Sequence, residues 1–173
     1  KNFIAVGSLQ HNKNHALLID SFALCRRRGY HEISLTIVGE GPSYQELKKH
    51  IENLDLSSQI KLIGQCSRSD IVALLSEHDC LLHSSNYETF GVVLVEAMAR
   101  GLYCISSNCG GITDIISDSI GEIVEPAEPS HFAEAIAKFI HSSNTADIRE
   151  MRKNYAVTKF GETAVCKQMA NVY

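Results

Sequence analysis

No apolar run in these 173 residues reaches the length needed to cross a bilayer, and no low-complexity tract interrupts them. What remains is the composition of a soluble globular chain, long enough for one compact domain or for one half of a two-domain enzyme. An excess of basic residues is missing too. Sixteen Lys and Arg against twenty Asp and Glu leave a net charge of −4, which argues against general nucleic-acid binding. The one basic cluster, Arg26-Arg27-Arg28, stands before Gly29 at a predicted helix end, where cations answer the helix dipole. Cysteines occur at 25, 66, 80, 104, 109 and 166 without a C-x-x-C pair, so reduced thiols of a cytosolic protein are expected. His11 and His15 are four apart, but no third ligand stands nearby, and the spacing gives no zinc site. There is no G-x-x-x-x-G-K-[ST] loop and no G-x-S-x-G elbow, which removes the ordinary P-loop and the serine hydrolase. "GEGPSY" falls short of a dinucleotide fingerprint, because Tyr44 occupies the place of the third glycine and the segment follows the second strand. A starting methionine and a signal peptide are also lacking. Lys1 leads almost directly into "FIAVG", the opening expected of a fragment cut at a domain boundary.

What is present is an alternation of short β-rich runs with longer helical segments. Strands are predicted at Phe3–Gly7, Ser34–Gly39, Ile60–Gly64, Cys80–His83, Tyr103–Ser107 and Gly121–Val124. Several are apolar on both faces, as strands are when helices cover a parallel sheet on each side. Helices are predicted near 14–28, 43–54, 68–77, 91–100, 112–117 and 130–142, followed by a C-terminal pair. Gly29 and Gly101 close helical runs. Ser43 with Glu46 three later makes a capping-box pattern, and Pro129 opens a helix with apolar residues at helical spacing. Repeated β-α units predict an α/β fold with a Rossmann-like, doubly wound parallel sheet. Ligands of such sheets bind beyond the carboxyl ends of the strands, so the strand-to-helix loops are the candidate site.

Those loops are "GSLQHNKN", "GEGPS", "GQCSRS", "HSSNYETFG" and "SSNCGGIT". Rich in Gly, Ser, Asn and Gln, they form a polar mouth suited to an anion that carries hydroxyls. In "SSNYETFGVVLVEAMARGL", Thr89 is the expected N-cap of a helix that starts near Phe90 and Gly91. The first N–H groups, those of Phe90, Gly91 and Val92, make an anion site suited to phosphate. Glu96 falls in the second turn of an almost unbroken apolar segment, where an unpaired buried carboxylate is costly. Two partners would satisfy it: an internal cation or backbone donor, or a pair of ligand hydroxyls such as a ribose diol. Glu88 stands outside the helix, placed to accept hydroxyls beyond the phosphates.

With these residues in view, "ETFGVVLVEAMARG" and "SSNCGGITDII" resemble the signature of the retaining, nucleotide-sugar-dependent glycosyltransferases of group 1. Their hallmark is two glutamates with seven residues between them, the spacing of Glu88 and Glu96. "VGSLQHNKNHALLIDSFA", "LTIVGEGP", "IKLIGQCSRSDIVALLSEHDCLLHSS" and "KFGETAVCKQMANVY" follow in family order, so the likeness covers nearly the whole chain. The resemblance implies that 1–173 is the donor-binding domain, the carboxyl-terminal half of a two-domain GT-B enzyme whose acceptor domain precedes it. It implies that Glu88 holds hydroxyls of the transferred sugar and Glu96 grips the ribose. The backbone of Thr89, Phe90, Gly91 and Val92 would meet sugar and diphosphate, and Lys13 would neutralise the diphosphate. Gln65 and Cys66 would lie along the base, and Gly7, Ser8, Gly39 and Ser85 complete the expected donor site, with Glu88 and Lys13 as its catalytic residues. No D-x-D run occurs, which fits a transfer with no metal and no cofactor beyond the nucleotide-sugar substrate. A saccharide or lipid-linked acceptor, cytoplasmic placement and peripheral membrane contact through the absent half are implied in the same way. Two departures stand out: Ser8 occupies a position where the family commonly has arginine, so Arg68 or His11 is expected to compensate, and Gly161 replaces a usual serine. A nucleotide-sugar epimerase on the related two-domain fold and a non-catalytic nucleotide-sugar binding module are the alternatives.

Overall fold

The computed structural model describes residues 1–161. Six strands form one parallel sheet: β1 (Asn2–Val6), β2 (Ser34–Val38), β3 (Ile60–Leu62), β4 (Cys80–His83), β5 (Tyr103–Ser107) and β6 (Gly121–Val124). Their order across the sheet is β3-β2-β1-β4-β5-β6. The helices are α1 (His15–Arg27), α2 (Tyr44–Asn53), α3 (Arg68–Glu77), α4 (Val92–Met98), α5 (Pro129–His141) and α6 (Ala146–Phe160). Each strand matches its predicted position within two residues. A second helix of the C-terminal pair, and the closing segment beyond Gly161 that resembles the family, lie outside the described residues.

Strand alternation sends side chains to two cores. Phe3, Ala5, Leu35, Ile37, Cys80, Leu82 and Ile105 pack on one side with α1, α2 and α5. Ile4, Val38, Leu81 and Cys104 pack on the other, with Leu75 of α3, Leu94, Ala97 and Met98 of α4 and Ala156 of α6. Both faces are therefore covered, which is why these strands read as continuous apolar runs. Phe3 sits fully buried at the middle of the first core, edge-on to Phe22 and to Phe139, each with ring centroids 5.7 Å away. Arg152 of α6 is buried over the Tyr103 ring and donates from Nη1 to Gly101 O and Asn144 Oδ1, which ties α6 to the turn after α4.

Two local expectations are corrected. The capping box at Ser43 does not form: Ser43 has helical backbone angles (φ −80°, ψ 0°), whereas a cap needs an extended residue to swing its oxygen onto the first N–H groups. The box that does form belongs to Ser67 and Asp70 at the start of α3. The helix expected at 112–117 is instead a short 3-10 segment, Gly110–Asp114, with a kink at Gly111. Two adjacent glycines favour that tighter, interrupted turn. Gly29 and Gly101 do end their helices with positive φ, 94° and 81°.

Replacement of Phe3 by Ala removes the ring that both Phe22 and Phe139 pack against. We expect a loss of about 3–5 kcal/mol in denaturant unfolding, with secondary structure by circular dichroism retained in the absence of denaturant.

Candidate functional site

The winding reverses between β1 and β4. Helix α1, which follows β1, covers one face, whereas α4, which follows β4, covers the other. The loops leaving these two neighbouring strands, residues 7–14 and 84–91, therefore meet at the topological switch point on the carboxyl edge of the sheet, the place where such folds bind ligands. They are stitched together there. Asn86 N–H donates to Asn12 O at 2.8 Å, Ser84 Oγ–H to Lys13 O at 2.8 Å, and Asn14 Nδ2 to Asn86 Oδ1 at 3.3 Å. The end of β5 supports the second loop: Ser107 Oγ–H donates to Ser85 O at 2.5 Å. Gly110, with φ 63°, lies so near the Glu88 carbonyl oxygen that any Cβ there would collide with it.

The consequence is a charge pair that no local sequence window contains. Lys13 Nζ donates to Glu88 Oε2 at 2.7 Å, with 24% and 17% of the two side chains exposed. Glu88 Oε1 accepts the Thr89 N–H at 3.0 Å. The Lys13 ammonium is the main reason that the Glu88 carboxyl is held down at about 2, with burial opposing it. Behind this pair stand two buried imidazoles. His83, at the end of β4, holds Nδ1 2.9 Å from Ser106 Oγ and Nε2 3.6 Å from Glu88 Oε2. His15, beside Gly7, has its pKa lowered to about 4, chiefly by burial. Both rings are thus neutral near pH 7, since burial also lowers His83.

Beside the pair opens a cleft of about 360 Å³ that gathers Gly7, Ser8, Gly39, Gln65 and Cys66, with Glu40 and Ile71. The Lys13 side chain passes by Gly7, which connects the cleft to the ion pair. Five of the sequence-predicted residues thus share one cleft, and Lys13 and Glu88 meet next to it. Ser85 is buried below, its Oγ without a hydrogen-bond partner among the described residues.

Around α4 the expectations change. Gly91, not Thr89, caps the helix, with φ 70° and ψ 50°, a left-handed conformation that favours glycine. Thr89 is exposed, and its N–H already serves Glu88 rather than standing free. Glu96 is not submerged. Leu94, Ala97 and Met98 turn inward, while Glu96 shares the outer side with Val92, four residues earlier and 58% exposed. The Glu96 carboxylate is one-third exposed and lies 3.6 Å from Arg68 Nη2, on a guanidinium that is 89% exposed. Its partner is therefore a surface arginine, neither an internal base nor a backbone group. Phe90 is half exposed, with its ring edge-on to Phe160 at 6.2 Å. Sequence reasoning missed His83, Ser84, Asn86, Ser106 and Ser107, although His83 closes a strand at the switch point.

A doubly wound parallel sheet with a Lys–Glu pair at its switch point and a cleft alongside defines a Rossmann-like α/β domain. Residues 1–158 match the family "Glycosyl transferases group 1", and the chain belongs to that family. Human alpha-1,3/1,6-mannosyltransferase ALG2 is 30% identical over 150 residues, which cover 79% of this chain and 36% of the relative. The N-acetyl-alpha-D-glucosaminyl L-malate synthase of Bacillus anthracis is 25% identical over 144 residues, which cover 82% of this chain and 37% of the relative. Among solved structures, Anabaena Alr3699/HepE in complex with UDP superposes with a TM-score of 0.86 at 27% identity, over 99% of this chain and 48% of that one. Its complex with UDP-glucose gives 0.85 at 26%, over 99% and 48%. The chain spans just over a third of the curated relatives named here and about half of these solved chains.

The lowered pKa of Glu88 has a sign that can be tested. Its stabilising effect is full above the ordinary carboxyl value of 4.5 and is lost as pH falls toward about 2. In a carboxyl-carbon NMR titration, Glu88 should titrate near 2 in this chain and move up toward 4.5 in Lys13→Met. An unmoved titration would show that Lys13 is not the cause.

Proposed function

We propose that this chain is the donor-binding half of a glycosyltransferase that moves a sugar from a nucleotide-diphosphate donor to a saccharide or lipid-linked acceptor, with retention and without a metal. One observation carries the reading: the switch point brings Lys13 and Glu88 within 2.7 Å of each other at the edge of a cleft of nucleotide size. Likeness to a solved relative in complex with UDP and with UDP-glucose supports it. The nucleoside then occupies the cleft, with the base along Gln65 and Cys66 and the ribose toward Glu96. The diphosphate reaches Lys13 and the N–H groups at the start of α4, and the sugar comes to Glu88. On this two-domain plan the acceptor site and any membrane contact belong to the preceding half, so this chain by itself transfers little.

The chemistry asked of these residues is electrostatic. Cleavage of the sugar–phosphate bond leaves its electron pair on the diphosphate, and preorganised positive groups lower the barrier most where that charge develops. Lys13 is such a group. In the structure its charge is answered by Glu88, so the diphosphate and Glu88 compete for one ammonium, which has three N–H bonds to share. Ser8 supplies no second cation, and it lines the cleft with its side chain exposed. Arg68 is turned to Glu96 instead.

A thermal-shift screen of UDP, GDP and ADP with their common sugars tests the reading. A ligand at about a hundred times its Kd adds about 2.7 kcal/mol, a readily measured rise in melting temperature. No rise with any of them would remove the proposal. With the best ligand, Glu96→Gln should weaken the free nucleoside diphosphate by about tenfold. Glu88→Gln should leave it as tight or tighter and weaken only the nucleotide sugar. Equal losses from both substitutions would contradict this division. Calorimetry of Ser8→Arg should leave nucleoside diphosphate binding unchanged, because the exposed Arg68 can turn from Glu96 to the diphosphate, and several-fold tighter binding would mean that a second cation is missing.

A further inference from the structure

The buried His83 is left unused by the scheme above. It closes β4 directly behind Glu88, is 5% exposed, and its Nε2 meets no hydrogen-bond partner among the described residues. The other side of the ring bears on what that nitrogen is. Ser106 Oγ has one proton and lies 3.0 Å from the Ser107 carbonyl oxygen, an acceptor only. When that proton goes to the carbonyl, the 2.9 Å contact between Ser106 Oγ and His83 Nδ1 is an Nδ1–H donating to the hydroxyl oxygen. In that arrangement the neutral ring carries its proton on Nδ1, and Nε2 is a bare lone pair. It stands 3.6 Å from Glu88 Oε2, also an acceptor. Two acceptors side by side repel, and the buried Nε2 is costly unless a donor reaches it. Lys13 answers Glu88 but makes no bond to His83.

We propose that His83 Nε2 is a second hydroxyl-reading group of the donor-sugar pocket, accepting one O–H of a vicinal diol whose neighbouring O–H goes to Glu88. The inference rests on the donor-site reading and deepens it from one contact to two. Adjacent hydroxyls on a pyranose ring present two donors side by side, as these two acceptors require. The neutral ring, favoured by burial, keeps Nε2 able to accept at physiological pH. Ser106 is the positioning residue, because it selects the tautomer. A sugar that lacks one hydroxyl of the pair leaves a buried lone pair unanswered, which makes the pair a filter for sugar identity.

Calorimetry on this chain with UDP-glucose, UDP-N-acetylglucosamine and GDP-mannose, each beside its nucleoside diphosphate, tests it. His83→Asn retains an amide N–H near the Nδ1 position and places nothing at Nε2. His83→Gln is long enough to put an amide oxygen there. His83→Asn should weaken the best nucleotide sugar by about tenfold, the worth of one buried hydrogen bond, with its nucleoside diphosphate unchanged. His83→Gln should recover most of that loss. Should His83→Asn not fold, Ser106→Ala carries the test: it frees the ring proton to move to Nε2 and should show the same sugar-selective loss. Undiminished nucleotide-sugar affinity in His83→Asn overturns the proposal, as does an equal fall for sugar and free diphosphate, or a Gln variant as weak as Asn. If the unsubstituted chain binds none of the three donors, the donor-site reading falls and this inference falls with it.

Discussion

Everything at the carboxyl edge of this sheet depends on the reversal of winding between β1 and β4. Parallel strands need crossover helices, and right-handed crossovers commit each helix to one face. Going outward from β1 in one direction places α1 and α2 on one side, and going outward from β4 in the other places α3 and α4 on the opposite side. At that seam the loops of two adjacent strands meet from opposite faces. Lys13 and Glu88 are 75 residues apart in the chain, yet both sit a few residues past the ends of the neighbouring strands. The backbone bonds between Asn86 and Asn12, and from Ser84 to Lys13 O, hold the loops at this spacing without help from the charges.

Given that scaffold, the ion pair balances opposing demands. An ammonium and a carboxylate that are both mostly buried cannot be left single, since breaking such a pair strands a charge. Each therefore stabilises the fold only while the other is present. Under the proposed function Lys13 also has to meet a phosphate. Partial exposure allows this, because enough water remains for it to trade part of its contact with Glu88 for a phosphate oxygen at modest cost. The neutral histidines behind the pair add no charge to that exchange.

The strands were legible because burial on both faces makes them uninterrupted apolar runs, and the loops because Gly, Ser and Asn cluster between them. Lys13, Glu88 and the five cleft residues follow from that pattern joined to the family resemblance. What escaped was decided by tertiary geometry. Glu96 reads as buried when "VVLVEAM" is taken as apolar all round, but helical period puts it with Val92 on the outer side and leaves Leu94, Ala97 and Met98 to the core. Thr89 is the better capping residue by type, yet the chain must turn left-handed at Gly91 to enter α4, and that turn sets the cap. His83 reads as one of eight scattered histidines, because its partner Ser106 lies on the next strand, 23 residues away.

Charge at this edge then explains why a serine can stand at position 8. Two cations, Lys13 and Arg68, pair with two carboxylates, Glu88 and Glu96, at this edge. The two pairs differ in strength. Arg68 meets Glu96 at 3.6 Å on an almost fully exposed guanidinium, a contact that solvent screens to a fraction of a kcal/mol up to about 1. Such a cation is held loosely and can follow a diphosphate across the start of α3 with little lost. Under the proposed function, the second phosphate charge is met by a mobile cation borrowed from Glu96, and Glu96 is released to the ribose hydroxyls by the same movement.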